Sequence, residues 1–399
     1  MKYDVVIIGA GIVGLATALK IKEKKRALSV IVIDKEDQVA AHQTGHNSGV
    51  IHSGLYYKPG SLKATNCITG YHMLIDFCQK HEVAYELCGK VVVATRNEEK
   101  PYLHKLAKRG EENGLEGLKL ISAEELREHE PYVSGVEAIF VPQTGIIDYR
   151  GVCIKYAKLF EQYEGLLKLG EKVLDIQKTN TGSTVVTTRA SYNARLVVSC
   201  AGLYSDKIAK LTEQKLEVKI IPFRGEYFEL TKEKQHLVKN LIFPVPDPNF
   251  PFLGVHFTRM INGGIEAGPN AVFAFKREGY KRSDIHFGEL IESLTWPGFQ
   301  KVAGKYWKTG VGELYRSFSK SAFTKALQKL MPSIESKDLV PGGAGVRAQA
   351  CDRTGGLIDD FLILENEQAI NVCNAPSPAA TSSLSIGNTV SDLVIKRFE

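Results

Sequence analysis

Residues 3–35 read YDVVIIGAGIVGLATALKIKEKKRALSVIVIDK, and the order of events in this stretch decides the fold. An apolar run from Val5 to Ile8 reaches Gly9. Gly11 and Gly14 then complete a G-x-G-x-x-G before Leu15, Ala16, Ala18, Leu19 and Ile21 take up helical spacing. A second apolar run, Val30 to Ile33, ends in Asp34. Strand, tight turn, helix, strand and acid together form the dinucleotide fingerprint in the context it requires. Gly9 permits the sharp turn, Gly11 lets the backbone approach a pyrophosphate, and Gly14 lets helix and strand pack closely. The helix start at Ile12 and Val13 can then hold the phosphates. Asp34, followed by Lys35, is placed for a ribose 2'-hydroxyl. An acid there disfavours a 2'-phosphate and leaves both NAD and FAD open.

Working outward, 399 residues exceed what one compact core usually holds, so two joined domains are expected. The net charge of +6 is modest, and its densest basic groups, 22–26 and 276–282, come with no RNA- or DNA-binding module. Nucleic acid is therefore not an expected partner, whereas weak attraction to an anionic substrate or membrane surface is compatible with the charge. Seven dispersed cysteines without a C-x-x-C pair argue for reduced thiols in a cytosolic setting, against a disulfide framework and against zinc. The apolar N-terminus enters the fingerprint at once, which reads as a core strand rather than a signal peptide. No run of about 18 apolar residues is present to span a membrane.

Beyond Asp34 the loop 40–61, AAHQTGHNSGVIHSGLYYKPGS, is long and rich in hydrogen-bonding groups, the mark of a functional loop. Its three histidines lack neighbouring carboxylates or cysteines, so no metal is expected. Residues 61–81 read as a helix capped by Ser61, 88–95 as a strand and 98–113 as a helix. Ser122 and Glu125 form a capping box for 122–129. Residues 150–163 are helical; 166–169, 173–177, 183–188 and 191–194 read as short strands. Residues 195–200 form an apolar strand that stops at Ala201-Gly202, where the backbone is again small enough for a cofactor to come close. In 216–334, strands are expected at 219–221, 226–230, 252–259 and 264–268, and a helix at 323–331. Segments 341–350 and 357–364 lead into a strand at 370–373. Ser377 is expected to cap a final helix with Pro378 in its first position, aiming the amides of Ala379, Ala380 and Thr381 at whatever lies ahead.

With the fingerprint, TGHNSGVIHSGLYYKPGSLKA, VVSCAGLYSD, PFRGEYFEL and GVRAQA...LIDDF...NAPSPAATSS in hand, the sequence resembles the FAD-dependent oxidoreductases of the D-amino-acid-oxidase-like superfamily. The likeness covers essentially the whole chain and is narrowest to the branch that oxidises L-2-hydroxyglutarate. One departure is Asp34, where such proteins more often carry Glu. The resemblance implies an α/β fold with a discontinuous Rossmann-type FAD-binding domain, 1–85, 145–215 and 335–399. A second, α+β substrate domain, 86–144 and 216–334, would be built on a mixed or antiparallel sheet. Thr44, Gly45, His46, Ser48, Gly49 and Val50 of the loop, with Val173, Ala201 and Gly202, would surround FAD, held non-covalently; some relatives attach flavin through a histidine in this loop, which singles out His46. The implied reaction is oxidation of L-2-hydroxyglutarate to 2-oxoglutarate, with electrons passing to a quinone of the respiratory chain or to dioxygen. The implied setting is cytoplasmic, with peripheral contact to the inner membrane compatible.

Such a reaction needs a base for the hydroxyl proton, and His52 and His256 are equal candidates. Two carboxylates call for Arg224, Arg259 and Arg347, with Tyr56 and Tyr57 as further donors. Two other readings stay open: a flavoenzyme acting on an amino acid or glycerol 3-phosphate, and a non-catalytic dinucleotide-binding sensor.

Overall fold

A computed structural model describes residues 2–247 and 254–399. Strand Lys2–Ile8 lies in the middle of the first sheet, and its last four residues are fully covered because helices and further strands close over both faces. It pairs in parallel with Val30–Ile33 on one side and Ser191–Ser199 on the other, so that Val5 to Ile8 stand in register with both. Leu166–Lys168 continues the parallel order beyond Val30–Ile33. Strand Ser191–Ser199 spans what the sequence suggested as two pieces and serves two neighbours. Its first half pairs antiparallel with Gly182–Thr187 and its second half parallel with Ala369–Asn374. Helices Ile12–Lys24, Tyr149–Gln162 and Ser383–Lys396 bury their apolar stripes on one face. The last of these crosses the first helix at Gly387, where a Cβ would fall 2.7 Å from the Ala16 carbonyl carbon.

Among the described residues the second sheet has nine strands. From one edge, Val272–Phe273, Val218–Leu230, Ile265–Gly268, His256–Arg259, Leu241–Pro244, Lys90–Ala94, Glu137–Val141 and Lys119–Ser122 follow in order. Leu339–Asp352 pairs along almost the full length of Val218–Leu230. All its pairings are antiparallel except that between Leu241–Pro244 and Lys90–Ala94, so the sheet is mixed, as expected. Two expectations are revised by the long ribbon. The pieces at 219–221 and 226–230 are one strand, because the ladder to Leu339–Asp352 carries the chain across Arg224 and Gly225. Residues 339–352, grouped by sequence with the cofactor segments, hydrogen-bond into this second sheet.

The local signals hold. Ser61 accepts from the Ala64 amide at the start of Leu62–His81, and Ser122 and Glu125 form both bonds of the capping box. Helices Phe287–Leu294 and Pro297–Phe318 were not foreseen; the second buries Phe299 and Val302 in its first half but carries Gly304, Gly310 and Gly312 and turns the apolar side chains of its second half outward, which hides the helical pattern. The helix expected at 323–331 is Lys320–Leu327, capped by Ser319. Part of the strand expected at 252–259 lies outside the described residues. No helix among those described is long and apolar enough to cross a membrane.

Candidate active site

One cavity of about 1070 Å³ runs from the amino-terminal glycine turn to the underside of the second sheet. At its near end lie Gly9, Gly11, Ile12, Val13, Asp34 and Lys35, joined by Val173, Ala201 and Gly202. Ala379 and Ala380, more than 360 positions along the chain, line the same space. Two distant segments thus converge because Ala369–Asn374 enters the sheet beside Ser191–Ser199.

The glycines divide the labour by geometry. Gly9 has φ +111°, and a Cβ there would sit 2.5 Å from the Cys200 oxygen. At Gly14 it would sit 2.0 Å from the Gly9 oxygen, so this residue holds helix and strand together and does not face the cavity. Gly11 differs: a Cβ would meet only Thr44 Oγ1, at 3.6 Å, and would otherwise project into open space. This is the cradle that a pyrophosphate requires, and the residues present fit a dinucleotide. Thr44 itself accepts a hydrogen bond from the Ile12 amide, tying the 40–61 loop to the helix start. Asp34 accepts from the amides of Ala10 at 2.6 Å and Glu36 at 2.9 Å, which fixes its carboxylate at the rim while each oxygen keeps a free lone pair.

Beside it Glu36, His42 and Glu278 put three ligand atoms within reach of one cation. The Lys35 ammonium already stands among them, paired with Glu36, 2.8 Å from Glu278 and 3.0 Å from His42. Although burial opposes it, these carboxylates raise the His42 pKa. Of the loop, His46, Ser48 and Val50 line the cavity. His46 donates Nδ1–H to the His42 carbonyl and stacks on Tyr280 at 4.3 Å between ring centroids. Gly45 and Gly49 are packing positions: a Cβ would strike the Ala40 oxygen and the Ile147 oxygen respectively.

The carboxy-terminal segment departs from expectation. Ser377 does not cap a helix; the chain makes tight turns through 377–382, and the helix starts at Ser383. The Ala379 and Ser382 amides bond to the Pro376 and Pro378 carbonyls, and Thr381 is turned inward. Its hydroxyl accepts from the His52 amide at 3.1 Å and meets the Tyr149 hydroxyl at 2.8 Å. Thr381 thus positions His52 from outside the cavity.

At the far end His52, Tyr56, Tyr57, His256 and Arg347 converge with Phe243. His256 donates Nδ1–H to the Gly254 carbonyl at 2.9 Å, which leaves Nε2 an acceptor, and its ring packs on Phe243 at 3.9 Å. His52 Nε2 lies 3.3 Å from the Ser377 hydroxyl. Burial, reinforced by Lys90, Lys63 and Arg347, pushes the His52 pKa down to about 3; burial and the same cations Arg347 and Lys90 hold His256 at about 3. Both imidazoles are neutral at physiological pH. Among the described residues the buried Tyr56 hydroxyl has no hydrogen-bond partner.

Two of the three predicted arginines lie elsewhere. Arg224 is buried against Glu226 and the Lys281 carbonyl, and Arg259 pairs with Glu86 through both terminal nitrogens, at 2.9 and 2.5 Å. Neither lines the cavity, because each meets a carboxylate: for Arg224 it is Glu226, two residues on along the same strand, and for Arg259 it is Glu86, which the tertiary fold brings alongside. Sequence reasoning also missed a cation that stands behind the cavity wall without lining it. Lys90, only 1% exposed, holds Nζ 4.5 Å from the Tyr56 ring centroid and 5.1 Å from that of Phe243, with no carboxylate among the described residues paired to it. Burial pulls its pKa down to about 7. A lysine inside the apolar run KVVVA was the available signal. Gln43, whose side chain accepts from the Ala348 amide at 2.9 Å, links the loop to the strand carrying Arg347.

The sequence profile of the FAD-dependent oxidoreductase family matches residues 4–393. The chain is 62% identical over 399 residues, the whole of both proteins, to an L-2-hydroxyglutarate dehydrogenase of Indibacter alkaliphilus. It is 44% identical to the human mitochondrial L-2-hydroxyglutarate dehydrogenase, covering all of this chain and 89% of that one. The Escherichia coli K12 protein of the same name is also 44% identical, over 96% of this chain and 91% of that one. Among solved structures, the dithionite-reduced, FAD-bound L-α-glycerophosphate oxidase of Mycoplasma pneumoniae superposes with a TM-score of 0.81 at 22% identity, covering 99% of this chain and 95% of that one.

Proposed function

Since the chain belongs to the FAD-dependent oxidoreductase family, we propose that it oxidises L-2-hydroxyglutarate to 2-oxoglutarate and passes the electrons to a quinone or dioxygen. One observation carries the reading. The cavity that begins at a dinucleotide turn ends among two neutral imidazoles, Arg347 and the Tyr56 ring, with the Lys90 ammonium buried behind that ring, a surround suited to a hydroxy acid with two carboxylates. Support for the substrate comes from the relatives' names and their full-length identity.

FAD, when bound, supplies the acceptor for the hydride that leaves C2 of the substrate. Gly9, Gly11, Val13, Asp34 and Ala201 would hold its adenosine and phosphates, and the 377–381 turn and the 46–50 loop would face its ring. Non-covalent attachment accords with His46, which is stacked on Tyr280 and bonded to the His42 carbonyl. His52 takes the hydroxyl proton at Nε2. It is more open to the cavity than His256, and the Thr381 bond sets it between the two segments assigned to the ring. Arg347 receives one carboxylate; the Tyr56 hydroxyl, backed by the Lys90 charge, receives the other. The neutral state of both histidines suits this role, since a protonated imidazole accepts nothing.

The test is anaerobic mixing of the flavin-loaded protein with each enantiomer of 2-hydroxyglutarate, with glutamate and with glycerol 3-phosphate. Bleaching of the flavin by the L-hydroxy acid alone is the expected result. Bleaching only by glutamate or glycerol 3-phosphate would replace the substrate, and a colourless protein that takes up no FAD would replace the enzyme with a sensor.

A further inference from the structure

Lys63 and Asp359, 296 residues apart in the chain, meet at the wall of the cavity and both line it. The lysine stands in the first turn of helix Leu62–His81 with only 11% of its side chain exposed; its Nζ lies 5.0 Å from the Tyr57 ring centroid and 2.7 Å from Asp359 Oδ1. The aspartate is its opposite in burial. Its side chain is 92% exposed although it lines the cavity, so the pair stands where the cavity opens to solvent. The backbone beneath the aspartate is pinned, because the Asn374 amide donates to the Ile358 carbonyl at 3.1 Å and to the Asp360 carbonyl at 2.9 Å. Movement is left to the carboxylate side chain.

The two partners are unequal. An ammonium held in a cavity wall needs an anion beside it, whereas a carboxylate already in water gains little from such a pair. An anion that reaches the opening can therefore take the place of Asp359 at Lys63 while the aspartate turns into solvent. The Lys63 charge is felt at His52, whose imidazole it helps to hold neutral, so this exchange takes place next to the proposed base. We propose that the Lys63–Asp359 pair is an exchangeable latch at the substrate entrance, in which a carboxylate of the incoming dicarboxylic acid displaces Asp359 from Lys63. Lys63 is then a further recognition residue, an inference that deepens the reaction proposed above and rests on it. The two oxygens of a carboxylate accept about four hydrogen bonds, so Lys63 joins Arg347 and Tyr56 as a donor and displaces neither.

The test titrates glutarate, a dicarboxylate without the reacting hydroxyl, by calorimetry into the full-length flavin-loaded protein and its Asp359→Asn, Lys63→Gln and doubly substituted variants. A latch and a mere staple between helix and loop differ in sign. Removing the competing carboxylate should tighten glutarate about threefold and lower KM for L-2-hydroxyglutarate by the same factor, with kcat unchanged. Removing the ammonium should weaken both about tenfold. The double variant should match Lys63→Gln, since Asp359 then has nothing to compete for. Asp360→Asn, the same change of charge one residue along, should bind glutarate as the wild type does. Glutarate bound no more tightly by Asp359→Asn, an equal gain in Asp360→Asn, or undiminished binding in Lys63→Gln overturns the latch. If L-2-hydroxyglutarate fails to bleach the flavin while glutarate shows the expected shifts, the proposed reaction falls and the latch stands.

Discussion

Three side chains, His52, His256 and Lys90, each have a measurable consequence for the proposed chemistry. Loss of the base costs two to four orders of magnitude in a proton-transfer step, so His52→Ala should lower kcat by about a hundredfold or more. His256→Ala should act chiefly on KM; the reverse pattern would hand the base role to His256. An unfolded chain protonates both rings near 6.5, whereas the folded protein keeps them neutral down to about 3. The unfolded state therefore binds more protons in that interval, and stability should fall as pH drops through it. Melting curves recorded from pH 7 to 4 would show the slope, and it should shrink in His256→Phe. Lys90 acts at the other end of the scale. Folded, it titrates near 7 against 10.5 when unfolded, so it costs stability most at pH 7 and below, and stability recovers as pH rises toward 10.5. Lys90→Met should raise the melting temperature at pH 6 and raise KM for the dicarboxylate tenfold or more. A higher melting temperature with unchanged KM would remove Lys90 from substrate binding.

At the scale of elements, the amino-terminal turn separates two functions that one motif conceals. Gly11→Val should leave a folded, colourless protein, since the new side chain meets little protein and fills the phosphate space. Gly14→Val should fail earlier, in folding, against the Gly9 oxygen. Circular dichroism and flavin absorbance of the purified variants distinguish the outcomes. The same elements show what was legible in advance. Ser61, Ser122 with Glu125, and the glycine turn act within a few residues of themselves, so the sequence displays them directly. The Ser377 cap failed because the 377–382 turns are fixed by Thr381, Tyr149 and His52, partners far away in sequence. Arg259 misled for the same reason, since Glu86 reaches it only through folding, whereas Glu226 stands two residues from Arg224 on the same face of one strand and was legible in the sequence. Helix Pro297–Phe318 was invisible because, beyond the buried Phe299 and Val302, the apolar stripe of its second half faces away from the core on which amphipathic patterns are usually read.

For the whole molecule, one cavity bounded by both sheets makes cofactor binding and stability a single matter. FAD at a hundredfold excess over its Kd should stabilise the protein by about 2.7 kcal/mol. For a chain of this length that is roughly a 3 °C rise in melting temperature by scanning calorimetry. The crossing of Ser383–Lys396 over the first helix at Gly387 has a consequence for biogenesis. Strand Lys2–Ile8 and the glycine turn leave the ribosome well before their neighbours Ser191–Ser199 and Ala369–Asn374, which arrive only after long delays in synthesis. A nascent chain therefore carries an unfinished nucleotide cleft through the synthesis of some 360 further residues, and cofactor capture awaits the emergence of Ala369–Asn374 and the turns behind it.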